Sequence, residues 1–168
     1  SRLVSDKSDL GKCFQEADPN SDTISDLVDT DGGFITIPEM GGVTKLVPLN
    51  NQLIILASNG IWSISVTQGA FSPSNYGVTK ITDVGCNSPE SVVLVEGTIL
   101  FWTLSGIYSL SLNDISQQAS ANDITVGTIK TLYNTISSVA IETASGYYDS
   151  INKQVGWLYN GASNVDPA

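Results

Sequence analysis

The chain repeats itself at a fixed offset. Residues 47–65 align with residues 93–111, 46 positions further along, and each copy reads as strand, turn, apolar strand, second turn and alternating strand. Repeats of about 40 to 50 residues built from four short strands are typical of β-propeller blades. The repeat therefore predicts an all-β fold of antiparallel, propeller-type blades.

The turns and strands inside each copy agree with this prediction. Asn50-Asn51 and Ser58-Asn59-Gly60 are residue types that tolerate positive φ in tight hairpins. Residues 53–56 and 99–102 are apolar at every position, as expected of an inner strand covered on both faces. We expect strands over residues 34–37, 43–49, 52–57, 60–66, 77–81, 91–95, 98–103 and 106–112, and a last hairpin over residues 146–150 and 154–159.

The segment between residues 113 and 138 follows another period. Apolar side chains at Ile129, Leu132, Tyr133 and Ile136 have the i, i+3, i+4, i+7 spacing of one helix face. This spacing predicts one short amphipathic helix over residues 128–136, inserted into the β pattern.

Composition divides the chain into three parts. Residues 1–33 hold eight of the 17 acidic residues among Ser, Asn, Pro and Gly, which predicts an acidic surface loop or arm. Residues 34–163 would hold the blades, and residues 164–168 a tail end. Two and a half blades cannot close a ring, because propellers typically need roughly four to eight. We therefore expect either a section of a longer polypeptide or an assembly of several copies.

Charge and residue usage exclude several classes of function. The net charge of −10 disfavours binding to phosphate backbones. The absence of His removes Ser-His and Cys-His nucleophiles and the commonest neutral-pH general base. No apolar run approaches the ~18 residues of a membrane helix. We predict a protein that is not an enzyme, has no catalytic, cofactor-binding or metal site, and does not enter membranes.

Two sets of acidic residues are candidates for a site, one for calcium binding and one for glycoside hydrolysis. Oxygen-bearing side chains in residues 18–31 resemble the start of a calcium loop, although Pro19 stiffens its second position and Thr23 stands where the sharp turn requires Gly. The alternative is a solvated acidic loop. Paired carboxylates could hydrolyse a glycosidic bond, and the blades offer Asp83, Glu90, Glu96, Asp114 and Asp123, several of them in turns.

Aromatic and thiol side chains also have two interpretations each. Trp62, Trp102 and Trp157 could stack on sugars, but Trp62 and Tyr108 occupy equivalent positions in the two copies, which favours packing between blades. Cys13 and Cys86 lack metal-ligand spacing and are either reduced structural thiols or a disulfide pair.

Three passages resemble a known family. Residues 30–39, residues 53–65, and residues 128–134 followed by 148–159 are similar to structural proteins of short-tailed bacteriophages, in particular the tail nozzle, or tail tubular protein B. The resemblance covers most of residues 30–161. It implies a β-propeller, a hexameric ring of copies of the chain below the portal and the tail adaptor, and contact with other tail proteins.

The resemblance further implies a virion protein, assembled in the host cytoplasm, that lines the channel through which DNA leaves as non-specific cargo. An acidic wall would hold that DNA off by repulsion. We expect contacts with neighbouring proteins at residues 67–76 and 18–31. The alternative function is a carbohydrate-binding or adhesin-type propeller that recognises a host surface.

Overall fold

The structure is a computed structural model that describes residues 2–5, 33–66, 75–113 and 116–161. Most of the described chain is antiparallel β-structure with two short helices, so the predicted all-β class is confirmed. The elements are β1 (Arg2–Ser5), β2 (Gly33–Thr36), β3 (Val43–Leu49), β4 (Gln52–Ala57), β5 (Gly60–Ser65), β6 (Gly77–Thr82), β7 (Val93–Val95), β8 (Thr98–Trp102), β9 (Ile107–Leu112), β10 (Ala119–Asp123), α1 (Lys130–Tyr133), α2 (Ser138–Glu142), β11 (Ser145–Asp149) and β12 (Gln154–Leu158).

The repeat folds as two four-stranded sheets. Strands β3 to β6 pair in chain order as sheet I, and β7 to β10 pair in chain order as sheet II. Tight turns connect them, with φ of 51° at Asn50 in the first sheet and of 46° and 82° at Glu96 and Gly97 in the second. Two further pairs, β1–β2 and β11–β12, form two-stranded sheets that we call the N-terminal and C-terminal strand pairs.

Sheets I and II pack face to face through one apolar cluster. Ile54 and Leu56 of β4 meet Ile99 and Phe101 of β8 there, all at 0% exposure. Burying side chains of this size stabilises a fold by about 1.5–3 kcal/mol each. The neighbouring side chains Ile55 and Ala57 lie on the other face of sheet I, against Ile35 and Ile37.

The two sheets stack front to back. We call the face of sheet I that carries Leu53 and Ile55 its front face. The positions 46 residues later are Ile99 and Phe101, which belong to the cluster between the sheets. The front face of sheet II therefore covers the back face of sheet I, so equivalent faces of the two sheets point the same way.

The outer faces of this stack are covered by different elements. Ile35 of β2, together with Ile37 and Met40, covers the front of sheet I. The back of sheet II, with Trp102 and Ile107, packs against Tyr133, Ile141 and Ala144, and Trp157 of the C-terminal strand pair packs against the same cluster. No closed ring of sheets is formed by the part of the chain that the structure describes.

The helical prediction was wrong in extent. A helix over residues 128–136 was expected, but α1 covers only Lys130–Tyr133, and Ile129 and Leu132 are exposed at 46% and 59%. Ser137 has extended backbone and its side chain accepts a hydrogen bond from the Ala140 amide, which caps a second helix instead of extending the first. The prediction of one inserted helix is thus replaced by two.

Two strands were not predicted, β1 and β10. Strand β1 pairs with β2 and lies in the segment that was expected to be a surface loop or arm. Strand β10 pairs with β9 along its whole length, although its sequence, Ala-Ser-Ala-Asn-Asp, is poor in strand-forming residues. Backbone hydrogen bonds to β9 hold it, and it completes sheet II as the counterpart of β6.

Candidate assembly interface

Three of the carboxylates considered for catalysis, Asp83, Glu96 and Asp123, each pair with a different lysine, and Glu90 is exposed. Lys80 pairs with Asp83 at 2.6 Å and Lys153 with Glu96 at 2.5 Å. Hydrogen bonding from Lys153 lowers the pKa of Glu96. Asp114 lies outside the described residues. A carboxylate with a lowered pKa is ionised at neutral pH and cannot serve there as a general acid.

Asp123 belongs to a structural cluster. Partial burial by itself raises the pKa of its carboxyl, but hydrogen bonds from Lys130 and Thr125 bring that pKa below its usual range. The Lys130 ammonium lies 2.8 Å from the carboxylate and also donates to the Ser105 carbonyl. These bonds tie β10 and α1 to the turn between β8 and β9.

No group of three or more potential metal-ligating His, Cys, Asp or Glu side chains occurs within the described ranges. The acidic residues 18–31 and Cys13 lie outside those ranges. Cys86 is a buried free thiol whose Sγ donates to the Ser88 carbonyl, and burial raises its pKa to about 11. A thiol with such a pKa is unreactive at neutral pH.

Two of the three tryptophans pack inside the stack. Trp62 and Trp102 are 1% and 3% exposed, so both rings pack in the interior and neither is a sugar platform. Trp157 is partly buried, its ring centroid lies 6.0 Å from that of Trp102, and its Nε1 donates to the Ser91 carbonyl at 2.8 Å.

Ser91 anchors the C-terminal strand pair and was missed by the sequence analysis. Its buried hydroxyl donates to the Ser88 carbonyl at 2.8 Å and accepts from the Trp102 amide at 3.0 Å. The Ser88 hydroxyl in turn donates to the Ala144 carbonyl at 2.9 Å. Gly146 crosses above this segment so closely that a Cβ would lie 2.4 Å from Val93. The C-terminal strand pair is therefore held against sheet II by specific bonds.

The back face of the C-terminal strand pair is open. In sheets I and II the back-face positions opposite Ile54 and Leu100 are Val47 and Val93, each 7% exposed. The corresponding residue opposite Gly156 is Tyr147, which is 54% exposed.

The neighbouring strand repeats this contrast. Counted from the turn that precedes each second strand, Leu56, Trp102 and Leu158 are equivalent, and their exposures are 0%, 3% and 70%. Positions that a following layer buries in the first two sheets are thus exposed in the third. Aligning residues 147–158 with the first two strands of each repeat copy, with two extra residues in the turn, would have assigned Tyr147 and Leu158 to the back face.

A polar cleft lies between the outer strands of the two sheets. It has a volume of about 450 Å³, and two of its lining residues are joined by a hydrogen bond from the Gln52 side chain to the Gln117 carbonyl at 2.6 Å. Ser63, Ser65 and Thr79 supply hydroxyl groups to its wall. Of the loop predicted to contact partners, residues 67–74 lie outside the described ranges, and Tyr76 packs against the front face of sheet I.

Neither a comparison with protein-family models nor one with curated protein sequences finds a match for this chain. Among the described residues, no helix is both long and apolar enough to span a membrane.

Proposed function

We propose that this chain is a structural protein of a phage tail, whose sheets are propeller blades in the nozzle through which DNA leaves. The observation that carries the proposal is the front-to-back stacking of sheets I and II. Two duplicated sheets that packed their equivalent faces together would form a closed two-layer sandwich. Front-to-back stacking leaves one front and one back face at the ends, so the same operation can add further sheets until a ring closes.

The described site chemistry supports an assembly role. Asp83, Glu96 and Asp123 are each paired with a different lysine, and burial raises the pKa of the Cys86 thiol. What the stack offers instead is an apolar back face at one end. A net charge of −10 would let DNA pass such a protein without adhering. The proposed partners are further copies of the chain and other tail proteins.

The test is labelling of virions. An antibody raised against the purified chain, visualised by electron microscopy, should mark the tail axis below the capsid. Labelling of fibres, of the capsid wall, or of no virion component would overturn the proposal. A matched check is a filter-binding assay with duplex DNA, in which the chain should show no retention even at low salt.

The polar cleft favours a second candidate, a carbohydrate-binding propeller. Hydroxyl and amide groups are the partners that sugar hydroxyls use, and the cleft presents both. A glycan array distinguishes the candidates. Binding that is lost in a Ser63→Leu variant but kept in an exposed-site Ser120→Ala variant would favour the carbohydrate function.

A further inference from the structure

We propose that two copies of this chain join by strand pairing, with β12 of one copy adding to β1 of the other. The C-terminal strand pair of one copy and the N-terminal strand pair of its partner would then form one four-stranded sheet like sheets I and II. The inference rests on the blade arrangement put forward above, and it deepens that proposal by naming the partner and the contact.

The C-terminal strand pair corresponds to the first two strands of a sheet. Asp149 pairs with Gln154 beside its turn, as Leu49 pairs with Gln52 in sheet I. Strand β11 lies against β7, the first strand of sheet II. Trp157 of β12 packs on Trp102 of β8, the second strand. The first strand of the C-terminal strand pair therefore lies over the first strand of sheet II, and its second strand lies over the second strand of sheet II.

The N-terminal strand pair corresponds to the last two strands of a sheet. Strand β2 lies 46 positions before residues 79–82 of β6, so Ile35 is equivalent to Ile81. Ile35 packs against the front of sheet I, as Ile81 packs toward sheet II. The pairing agrees, because Ser5 pairs with Gly33 as Ser63 pairs with the equivalent Thr79. Strand β1 thus occupies the place of a third strand.

The two half-sheets have complementary free edges. Among the described residues β12 pairs only with β11, and β1 only with β2. In sheets I and II the edge that β12 leaves open is filled by the third strand. The two pairs lie on opposite outer faces of one stack, so a single copy cannot bring its own β1 beside its own β12. A second copy can supply the missing edge.

The open faces agree with the same partner. Joining the half-sheets would place the partner's sheet I behind the C-terminal strand pair, where Tyr147 and Leu158 are exposed at 54% and 70%. In the partner, Leu53 is the front-face position left partly exposed, whereas its equivalent Ile99 is fully buried by sheet I. The contact would bury both faces.

The sheet count also fits. The described residues of each chain form two complete sheets and two complementary halves, so two chains related by a twofold axis supply six sheets. Closed propellers have roughly four to eight, and the two complete sheets in the described part of a single copy fall below that range. Twofold symmetry is the commonest arrangement of homo-oligomers.

Register predicts which residues meet at the junction. Leu56 pairs with Ile61 between the second and third strands of sheet I. The equivalent residues are Leu158 in β12 and, counted along the chain from Ser5, Leu3 in β1.

In a Cys13→Ser background, a mixture of the Leu158→Cys and Leu3→Cys variants should form, under mild oxidation, a covalent species of twice the 17.8 kDa chain mass.

The controls use one variant at a time and a displaced cysteine. Neither variant alone should cross-link, nor should Leu3→Cys mixed with Leu132→Cys, since Leu132 is exposed on α1 and belongs to neither strand of the junction. For the chain without the introduced cysteines, the molar mass measured by light scattering should be twice the chain mass. Leu158→Lys should weaken this dimer by roughly tenfold or more, while Leu132→Lys should leave it unchanged.

The outcomes separate this inference from the proposed function. The proposed pairing of β12 with β1 is overturned if the chain remains monomeric at its highest soluble concentration, or if it dimerises without cross-linking between positions 158 and 3. If such a chain still labels the tail axis of virions, the proposed function stands without this contact. If the dimer cross-links but an antibody against the chain labels no virion component, the strand-pairing inference stands and the proposed tail function is overturned.

Discussion

At the scale of single residues, small buried polar groups decide how the layers are joined. Ser91 has 0% exposure, and its hydroxyl satisfies both the Ser88 carbonyl and the Trp102 amide. Its own carbonyl accepts from the Trp157 indole. A serine thus links the third layer to sheet II, where a hydrophobic residue would leave the buried Trp102 amide without its partner.

The Ser91→Ala substitution tests this role. It should lower the free energy of unfolding by about 1–3 kcal/mol, because the buried Trp102 amide loses its partner, while the Ser88 carbonyl keeps the Ser91 amide as a donor. Urea denaturation followed by tryptophan fluorescence measures the change. Ser120→Ala, at an exposed position of β10, is the control and should be neutral. Equal stability of Ser91→Ala and wild type would contradict the assignment.

Cys86 should make the free energy of unfolding depend on pH in the alkaline range. Burial raises the pKa of its thiol from 9.0 to about 11. Between these values the unfolded chain loses the thiol proton while the folded chain keeps it, so stability falls as pH rises. The loss relative to a Cys86→Ala variant should reach roughly 2–3 kcal/mol once the pH exceeds the folded pKa. Parallel stability curves for both proteins between pH 8 and 11 would be the contrary result.

At the scale of elements, turn geometry sets the register of each sheet. Glu96 and Gly97 both have positive φ in the two-residue turn between β7 and β8, with Gly97 at 82°. A Cβ on Gly97 would meet no atom within 4 Å, so a substitution there changes backbone preference alone. This isolates the conformational contribution of one turn.

Two substitutions at Gly97 should therefore differ. Gly97→Ala should cost about 1–2 kcal/mol, because an L residue is disfavoured at positive φ. Gly97→Asn should cost clearly less, since Asn tolerates that region. Thermal unfolding of both variants measures the difference, and an alanine variant as stable as the asparagine variant would argue against the positive φ.

At the scale of the whole molecule, protection should follow the order of the layers. Strands β4 and β8 lie inside four-stranded sheets and between layers, whereas β12 lies at a free edge with an open face. In dilute solution, amide hydrogen exchange should be slowest in β4 and β8 and faster in β12. Raising the concentration until the chain dimerises should slow exchange in β12 alone among these three. Exchange in β12 that is as slow as in β4 in the dilute monomer would contradict the layer order.

Local patterns in the sequence predicted much of this architecture. Strands β3 and β4 have the bounds expected from them, because alternating apolar residues and turn-forming Asn residues act over a few positions. Strands β1 and β10 and helix α2 were missed, since the strands are held by backbone pairing with β2 and β9 and the helix by a cap at Ser137. Neither signal is visible in hydrophobic spacing.

The amino-acid sequence by itself determined the two homologous sheets, their turns and the burial of Trp62 and Trp102, because a 46-residue repeat of strand patterns has one compatible local structure. Only the tertiary structure decided that the sheets stack front to back and that Tyr147 and Leu158 face outward. An apolar side chain is equally suited to either face of a pleated strand. Contacts between residues far apart in the chain therefore select which face is covered and which remains open.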